Sequence, residues 1–166
     1  MIKPDVSPDA PQRNAVPPRA TPEVTQVNQP FWDAATNHRL VIQRCTVCGR
    51  FQHEPLESCP ACCGKFEWIE VSGRGIIHTF TIIHQVYHSA FASEVPYNVS
   101  IVELDEGPLM VTNIVGCDSS ELAIDLPVEV DFIDVEAGIS LPVFRLAADL
   151  QDSPRHNGVQ AKQREG

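Results

Sequence analysis

Cys45-Thr-Val-Cys48-Gly49 and Cys59-Pro-Ala-Cys62-Cys63, with ten residues between Cys48 and Cys59, decide how this chain folds. Two residues between cysteines let one tight turn aim both sulfurs at a single ion, while the backbone N–H groups of the turn donate to the thiolates. Gly49, directly after the first pair, tolerates the positive φ that such a turn favours. Four sulfurs in two knuckles suit tetrahedral Zn²⁺ at ~2.3 Å, so Cys45, Cys48, Cys59 and Cys62 are the expected ligands. A closed four-sulfur site leaves no position for substrate or water, which makes the expected zinc structural. Iron is the rival metal for four sulfurs, and it would imply an electron carrier. Four cysteines without metal, buried or redox-active, are the remaining reading.

Two further cysteines and one histidine sit near this frame. Cys63 stands where a second glycine is expected and offers a C-x-x-x-C alternative with Cys59. Symmetry with the first knuckle favours Cys62 as the ligand and leaves Cys63 a spare thiol. His53, between the knuckles, is the less favoured substitute for a sulfur, and Cys117 reads as a small packing residue. Six cysteines in a small secreted chain would form a disulfide framework. The first residues, MIKPDVSPDAPQRN, lack the apolar stretch of a secretory signal, so a cytoplasmic location and metal binding are expected.

Outward from the knuckles the pattern is mostly β. Leu40–Arg44 reads as a strand feeding the first pair, and Pro30–Asn37 as a short helix with Phe31, Ala34 and Ala35 on one face. After the second pair come strand signals at Glu67–Val71, Gly75–Val86, Tyr97–Leu104, Leu109–Val115, Val128–Val135 and Leu141–Leu146. Turn residues such as Glu106-Gly107-Pro108 separate them, and Glu121–Asp125 reads as one helical turn. So many short strands suit a small closed barrel. Residues 1–29 are rich in Pro, Ala, Gln and Val without any period, and read as a disordered arm. Residues 149–166 read as a loose tail, with a helix and ribbon over 30–70 and the barrel over 71–148. The length of 166 residues is one domain's worth by the usual ~100–200, and no apolar run nears the ~18 of a spanning helix.

Phe31-Trp-Asp, Leu40-Val-Ile-Gln-Arg-Cys45, both knuckles, Trp68, Ser72-Gly-Arg-Gly75 and Thr79-Phe-Thr81 form a string that continues through Val102-Glu-Leu-Asp-Glu-Gly107, Thr112-Asn-Ile-Val-Gly-Cys117 and Leu141-Pro-Val-Phe-Arg145. Over residues 30–147 this string resembles the DUF35 family. The departure is Cys63, where the family usually has glycine. The resemblance implies a mainly β fold: a short N-terminal helix and a rubredoxin-like four-cysteine zinc ribbon, followed by a five-stranded OB-fold barrel. It implies a non-catalytic accessory subunit in a hetero-oligomer with a thiolase-superfamily partner acting on acyl-CoA, in which carbon–carbon bonds are made or broken. Partners of the hotdog-fold enoyl-CoA hydratase type also occur in the family. A stand-alone acyl-CoA or lipid binding module is the alternative from another class.

Charge narrows these readings. The formal net charge is -10, and residues 75–140 contain no lysine or arginine. Between Glu103 and Glu136 there are ten carboxylates. Nucleic acid wants a basic groove, and an anionic membrane surface wants basic clusters, so neither is an expected partner. Arg44, Arg50, Lys65 and Arg74 lie in the ribbon half and at its junction with the barrel, and are the candidate contacts for CoA phosphates or for a partner. In the long aromatic loop Gln85–Tyr97, Tyr87, His88, Phe91 and Tyr97 are the candidates for a partner contact or an acyl channel shared with it. Ile76, His78, Phe80, Ile82 and His84 alternate as if on one strand face, and these histidines read as packing or interface residues. No nucleophile motif or phosphate loop of the G-x-S-x-G, G-x-G-x-x-G or G-x-x-x-x-G-K type is present.

Overall fold

The computed structural model describes residues 22–87, 91–135 and 138–148. The arm expected over 1–29 lies mostly outside the described residues, as do His88 and the tail 149–166.

Helix α1 runs from Gln29 to Thr36, with Pro30 in its first turn. Phe31 and Ala35, four apart, are its buried face. Before it, the Asn28 side chain accepts from the Thr25 N–H at 2.7 Å and donates to the Glu23 carbonyl at 3.0 Å, which fixes the approach of the chain. Three strands follow: β1 (Val41–Cys45), β2 (Phe51–Gln52) and β3 (Phe66–Glu70), in the antiparallel order β2-β1-β3. The pair β1–β2 is the hairpin that carries the first knuckle, with Arg44 opposite Phe51. The strand β2 is too short to leave a pattern in the sequence.

The barrel has β4 (Arg74–Ile83), β5 (Tyr97–Leu104), β6 (Leu109–Thr112), β7 (Pro127–Val135) and β8 (Ile139–Leu146). All are antiparallel neighbours in the order β6-β5-β4-β7-β8. The sheet curls shut where Ile114, just after β6, bridges Phe144 of β8 in parallel. The Phe144 N–H donates to the Asn113 carbonyl at 3.0 Å, and the Val115 N–H to that of Phe144 at 2.8 Å. This is the five-stranded OB-fold. A single 3-10 turn, Ser119–Glu121, lies between β6 and β7, slightly earlier than the turn the sequence suggests.

One apolar cluster joins the parts. Ile77, Val102, Leu104, Met110, Ile114, Leu122, Val128 and Phe144 fill the barrel, and Phe31, Leu40 and Ile42 from the helix and ribbon belong to the same cluster. The helix lies against β8 and β1 and so seals the ribbon to the barrel.

Strand β4 departs from its apparent alternation. Ile77 pairs with Val102 and Thr79 with Ile101, so His78 is the extra residue of a bulge. Gly75 and Ile77 are buried before it, while Phe80 and Ile82 pack on the core after it. The single face read through Ile76, His78, Phe80, Ile82 and His84 is therefore split, because one added residue flips a period of two. His78 is turned to solvent, with Nδ1 3.4 Å from Glu103 Oε2.

Candidate functional site

The four-sulfur centre is built by two turns with one geometry. The Gly49 N–H donates to the Cys45 carbonyl at 2.9 Å, and the Cys63 N–H to the Cys59 carbonyl at 2.8 Å. The Cys45 N–H meets the Arg50 carbonyl at 2.8 Å, and the Cys59 N–H meets that of Gly64 at 2.9 Å. Gly49 has φ 71° and Cys63 has φ 57°. Cys63 thus occupies the place of Gly49 in the second knuckle, in a backbone region that costs an L-residue ~1–2 kcal/mol. The Thr46 N–H, bonded to the Lys65 carbonyl at 3.0 Å, ties the two turns together.

Their thiol sulfurs converge. Cys45 and Cys62 are 3.4 Å apart, Cys48 and Cys59 are 3.7 Å apart, and all four sulfurs lie within 4.8 Å of one another. Cys45 and Cys59 are buried, while Cys48 and Cys62 are exposed. His53 and Cys63 are not part of this cluster. The Cys48 N–H holds the Cys45 thiol down at about 6, aided by the N–H of Val47 and the neighbouring sulfurs, against its burial. Cys59 is lowered despite burial by the N–H groups of Ala61 and Cys62. The Gly64 N–H draws Cys62 down, but the sulfurs of Cys45, Cys48 and Cys59 push it up to about 12. Four sulfurs this close cannot all ionise alone, since each thiolate raises the next. A dication at their centre removes that conflict, so the donor set fits structural zinc held by Cys45, Cys48, Cys59 and Cys62.

A second feature lies across the molecule's junction. A cavity of about 970 Å³ opens between α1, the ribbon loop His53–Pro55, β5, β6 and β8. Phe31, Val99, Met110, Leu141 and Val143 give it an apolar wall. Three side chains of its polar wall are spent on the fold. Asn98 Nδ2 donates to the Ile114 carbonyl at 2.7 Å, and the Thr112 hydroxyl to the Pro142 carbonyl at 3.2 Å. Asn113 Nδ2 donates to the Asn98 carbonyl. Trp32 meets Phe31 edge-on at 4.9 Å, and its indole N–H is buried without a hydrogen-bond partner. The His53 ring leans on Phe31 with centroids 5.7 Å apart, and burial lowers its pKa below the ordinary 6.5 while Glu54 pulls the other way.

The remaining sequence candidates are dispersed. Phe91 and Tyr97 line the cavity, with ring centroids 5.7 Å apart. Tyr87 stands outside it, 74% exposed just beyond β4. Arg44 lies over the Phe51 ring at 5.7 Å, and Arg74 approaches Glu129 at 3.5 Å. Arg50 borders a small cleft with the turn Glu106–Pro108. None of Arg44, Arg50, Lys65 and Arg74 lines the large cavity. The cavity has no sequence signature, because its walls come from segments as far apart in the chain as Thr25 and Val143.

Comparison with known proteins gives the family. Residues 32–68 match the rubredoxin-like zinc ribbon domain of ChsH2, and residues 68–132 match the ChsH2 C-terminal OB-fold domain. A probable enoyl-CoA hydratase alpha subunit of Thermomonospora curvata is 39% identical over 137 residues, covering 81% of this chain. The match takes in 42% of that relative's length. A DUF35 domain-containing scaffold protein of Methanocaldococcus jannaschii is 36% identical over 56% of this chain and 67% of its own. Among solved structures, a chain described as Ltp2-ChsH2(DUF35) aldolase superposes with a TM-score of 0.70 at 37% identity, over 76% of this chain and 98% of that one. With its four-cysteine ribbon joined to a five-stranded OB-fold, the chain belongs to the DUF35 family.

Proposed function

We propose that this chain is a non-catalytic accessory subunit of an acyl-CoA-processing complex. Its partner is a thiolase-superfamily enzyme, a thiolase, acyltransferase or aldolase, that makes or breaks a carbon–carbon bond. The observation that carries this reading is the likeness along nearly the whole length of the DUF35 chain described as part of an aldolase. The scaffold name borne by the methanogen relative supports the same role.

The fold suits a brace. The metal centre stiffens a ribbon that has only three short strands, because metal binding supplies folding free energy. Apolar side chains that the chain leaves in solvent, Val86 and Tyr87 beyond β4 and Leu109 and Val111 on β6, suit a partner-facing surface. Acyl-CoA lies at the shared interface in this proposal. Its phosphates meet Arg44, Arg50 or Lys65 of the ribbon half or the partner's own cations, since the barrel strands β5–β7 carry none. The exposed Tyr87 contacts the partner, and Phe91 and Tyr97 face the acyl group.

Affinity purification of this chain from its host, followed by native mass spectrometry, tests the proposal. A stoichiometric complex with a thiolase-like protein is the expected result. A lone 18.3 kDa species recovered under gentle conditions overturns it. The relative named as a hydratase subunit favours a second reading, a hydratase partner, and the same spectrum decides between the two by mass.

A further inference from the structure

We infer that the cavity between α1, the ribbon loop and the barrel is a binding site for an uncharged apolar molecule that offers one hydrogen-bond acceptor to the imidazole of His53. This deepens the proposed function and rests on it only for the source of the ligand, the acyl end of a thioester whose carbonyl is such an acceptor.

Size comes first. At about 970 Å³ the cavity falls within the ~300–1,000 Å³ of small-molecule sites. Its walls are mainly apolar, as such sites are. Polarity then selects the anchor. Asn98, Asn113 and Thr112 direct their donors to backbone carbonyls of the barrel, and the Asn28 amide is spent on the turn before α1. The Trp32 indole N–H is unspent but buried out of a ligand's reach, and His53 differs from all of these. Its ring makes no hydrogen bond to any described residue, and it rests against the Phe31 ring. Burial favours the neutral ring, which keeps one N–H to donate at pH 7.

Charge selects the ligand class. Among the described residues of the lining the formally charged ones are Glu54 and Glu94, and none is lysine or arginine. A free carboxylate entering here meets the Glu54 carboxylate and, among the described lining residues, no lysine or arginine to pair with. A ketone, ester or thioester carbonyl carries no such penalty and can accept from His53. The four ribbon and junction cations lie outside this lining, so the phosphate end of a thioester stays out of the cavity while its neutral end enters.

Titration of the full zinc-loaded chain with 2-nonanone, nonanoate and nonane tests this. The ketone is expected to bind tighter than nonanoate, and His53→Phe to weaken the ketone about 3- to 10-fold, the worth of one net hydrogen bond. The same substitution is expected to leave nonane unchanged, because phenylalanine keeps the ring contact with Phe31. In the wild-type chain the carbonyl stretch of bound 2-nonanone is expected below its value in hexane, a reading that requires no variant to fold. Nonanoate binding as tightly as the ketone, an unshifted stretch, or no ketone binding overturns the inference. Because the titration needs no partner, a chain that assembles but ignores the ketone refutes the cavity alone. A chain that binds the ketone but never assembles refutes the accessory role alone.

Discussion

Asn98 and Ile114 are joined by two opposed hydrogen bonds: Asn98 Nδ2 donates to the Ile114 carbonyl at 2.7 Å, and Asn98 Oδ1 accepts the Ile114 N–H at 2.8 Å. A side-chain amide here does what a neighbouring strand would do, just past the end of β6. It holds Ile114 where it bridges Phe144 and closes the barrel. The Ser100 hydroxyl, fully buried, donates to the same Oδ1 at 2.9 Å and fixes the amide. One asparagine therefore sets both the closure of the OB-fold and the floor of the cavity.

Asn98→Leu keeps the branched shape in a somewhat larger volume and removes both bonds. Two backbone groups of Ile114, a residue 2% exposed, then lack partners. At ~1–3 kcal/mol for each unsatisfied buried group, the expected loss is about 2–6 kcal/mol. Urea unfolding of the zinc-loaded variant measures it. A loss under about 1 kcal/mol would mean that water replaces the amide and that closure does not depend on Asn98.

The equivalence of Gly49 and Cys63 separates the cysteines by function. Cys59→Ser is expected to abolish zinc binding and unfold the ribbon. Cys63→Gly is expected to keep one zinc per chain and to be neutral or more stable by up to about 1 kcal/mol, since glycine relieves the positive φ. Metal analysis and thermal melts of both variants check this. Zinc without visible absorption also excludes an iron-based electron carrier. Zinc lost from the Cys63 variant would move the second knuckle's register by one residue.

What the sequence made legible was local. Two residues between sulfurs constrain one turn, so the knuckles and their four ligands could be read without any partner strand. The β-branched run after Gly75 likewise shows its strand character in place. The bulge at His78 could not be read so, because an extra residue appears only when β4 is laid against β5. His53 is the clearest case. By position it lies between the knuckles and reads only as a less favoured substitute for a sulfur, and the fold leaves it out of the sulfur cluster and puts it against Phe31. Chain proximity and spatial proximity differ there by one short hairpin.

Gly75 marks how tightly β4 meets β5. A Cβ at this position would stand 2.3 Å from the Glu103 carbonyl oxygen and 2.8 Å from Val102 Cγ1. The obstacle is backbone, which cannot rotate away. Gly75→Ala is expected to push the strands apart at the Gly75–Leu104 pair and to cost about 1–3 kcal/mol or more. Hydrogen exchange at the N–H groups of β4 and β5 should quicken locally. Gly107→Ala, where a Cβ meets nothing within 4 Å, is the control. Its φ of 100° is a local strain that leaves the exchange of β4 unchanged.

His53 also sets how stability changes with pH near neutrality. Burial lowers its folded pKa below 6.5, so the unfolded chain takes up this proton first as the pH falls. Its contribution is full above the unfolded value and is lost as the pH falls through the folded one. With zinc in excess, the wild-type chain should therefore lose stability faster than His53→Phe as the pH falls below the ordinary imidazole value of about 6.5. A second window lies lower and is shared by both chains. Arg145 beside Asp131, the Ser140 hydroxyl and His38 beside Asp134, and Arg39 beside Glu70 hold these carboxylates below their ordinary range. Their contribution is present above ~4 and disappears as they protonate in more acid solution. Urea melts at a series of pH values resolve the two windows. Parallel curves for the two chains through that range would show that the ring is solvated and not packed into the cavity wall beside Phe31.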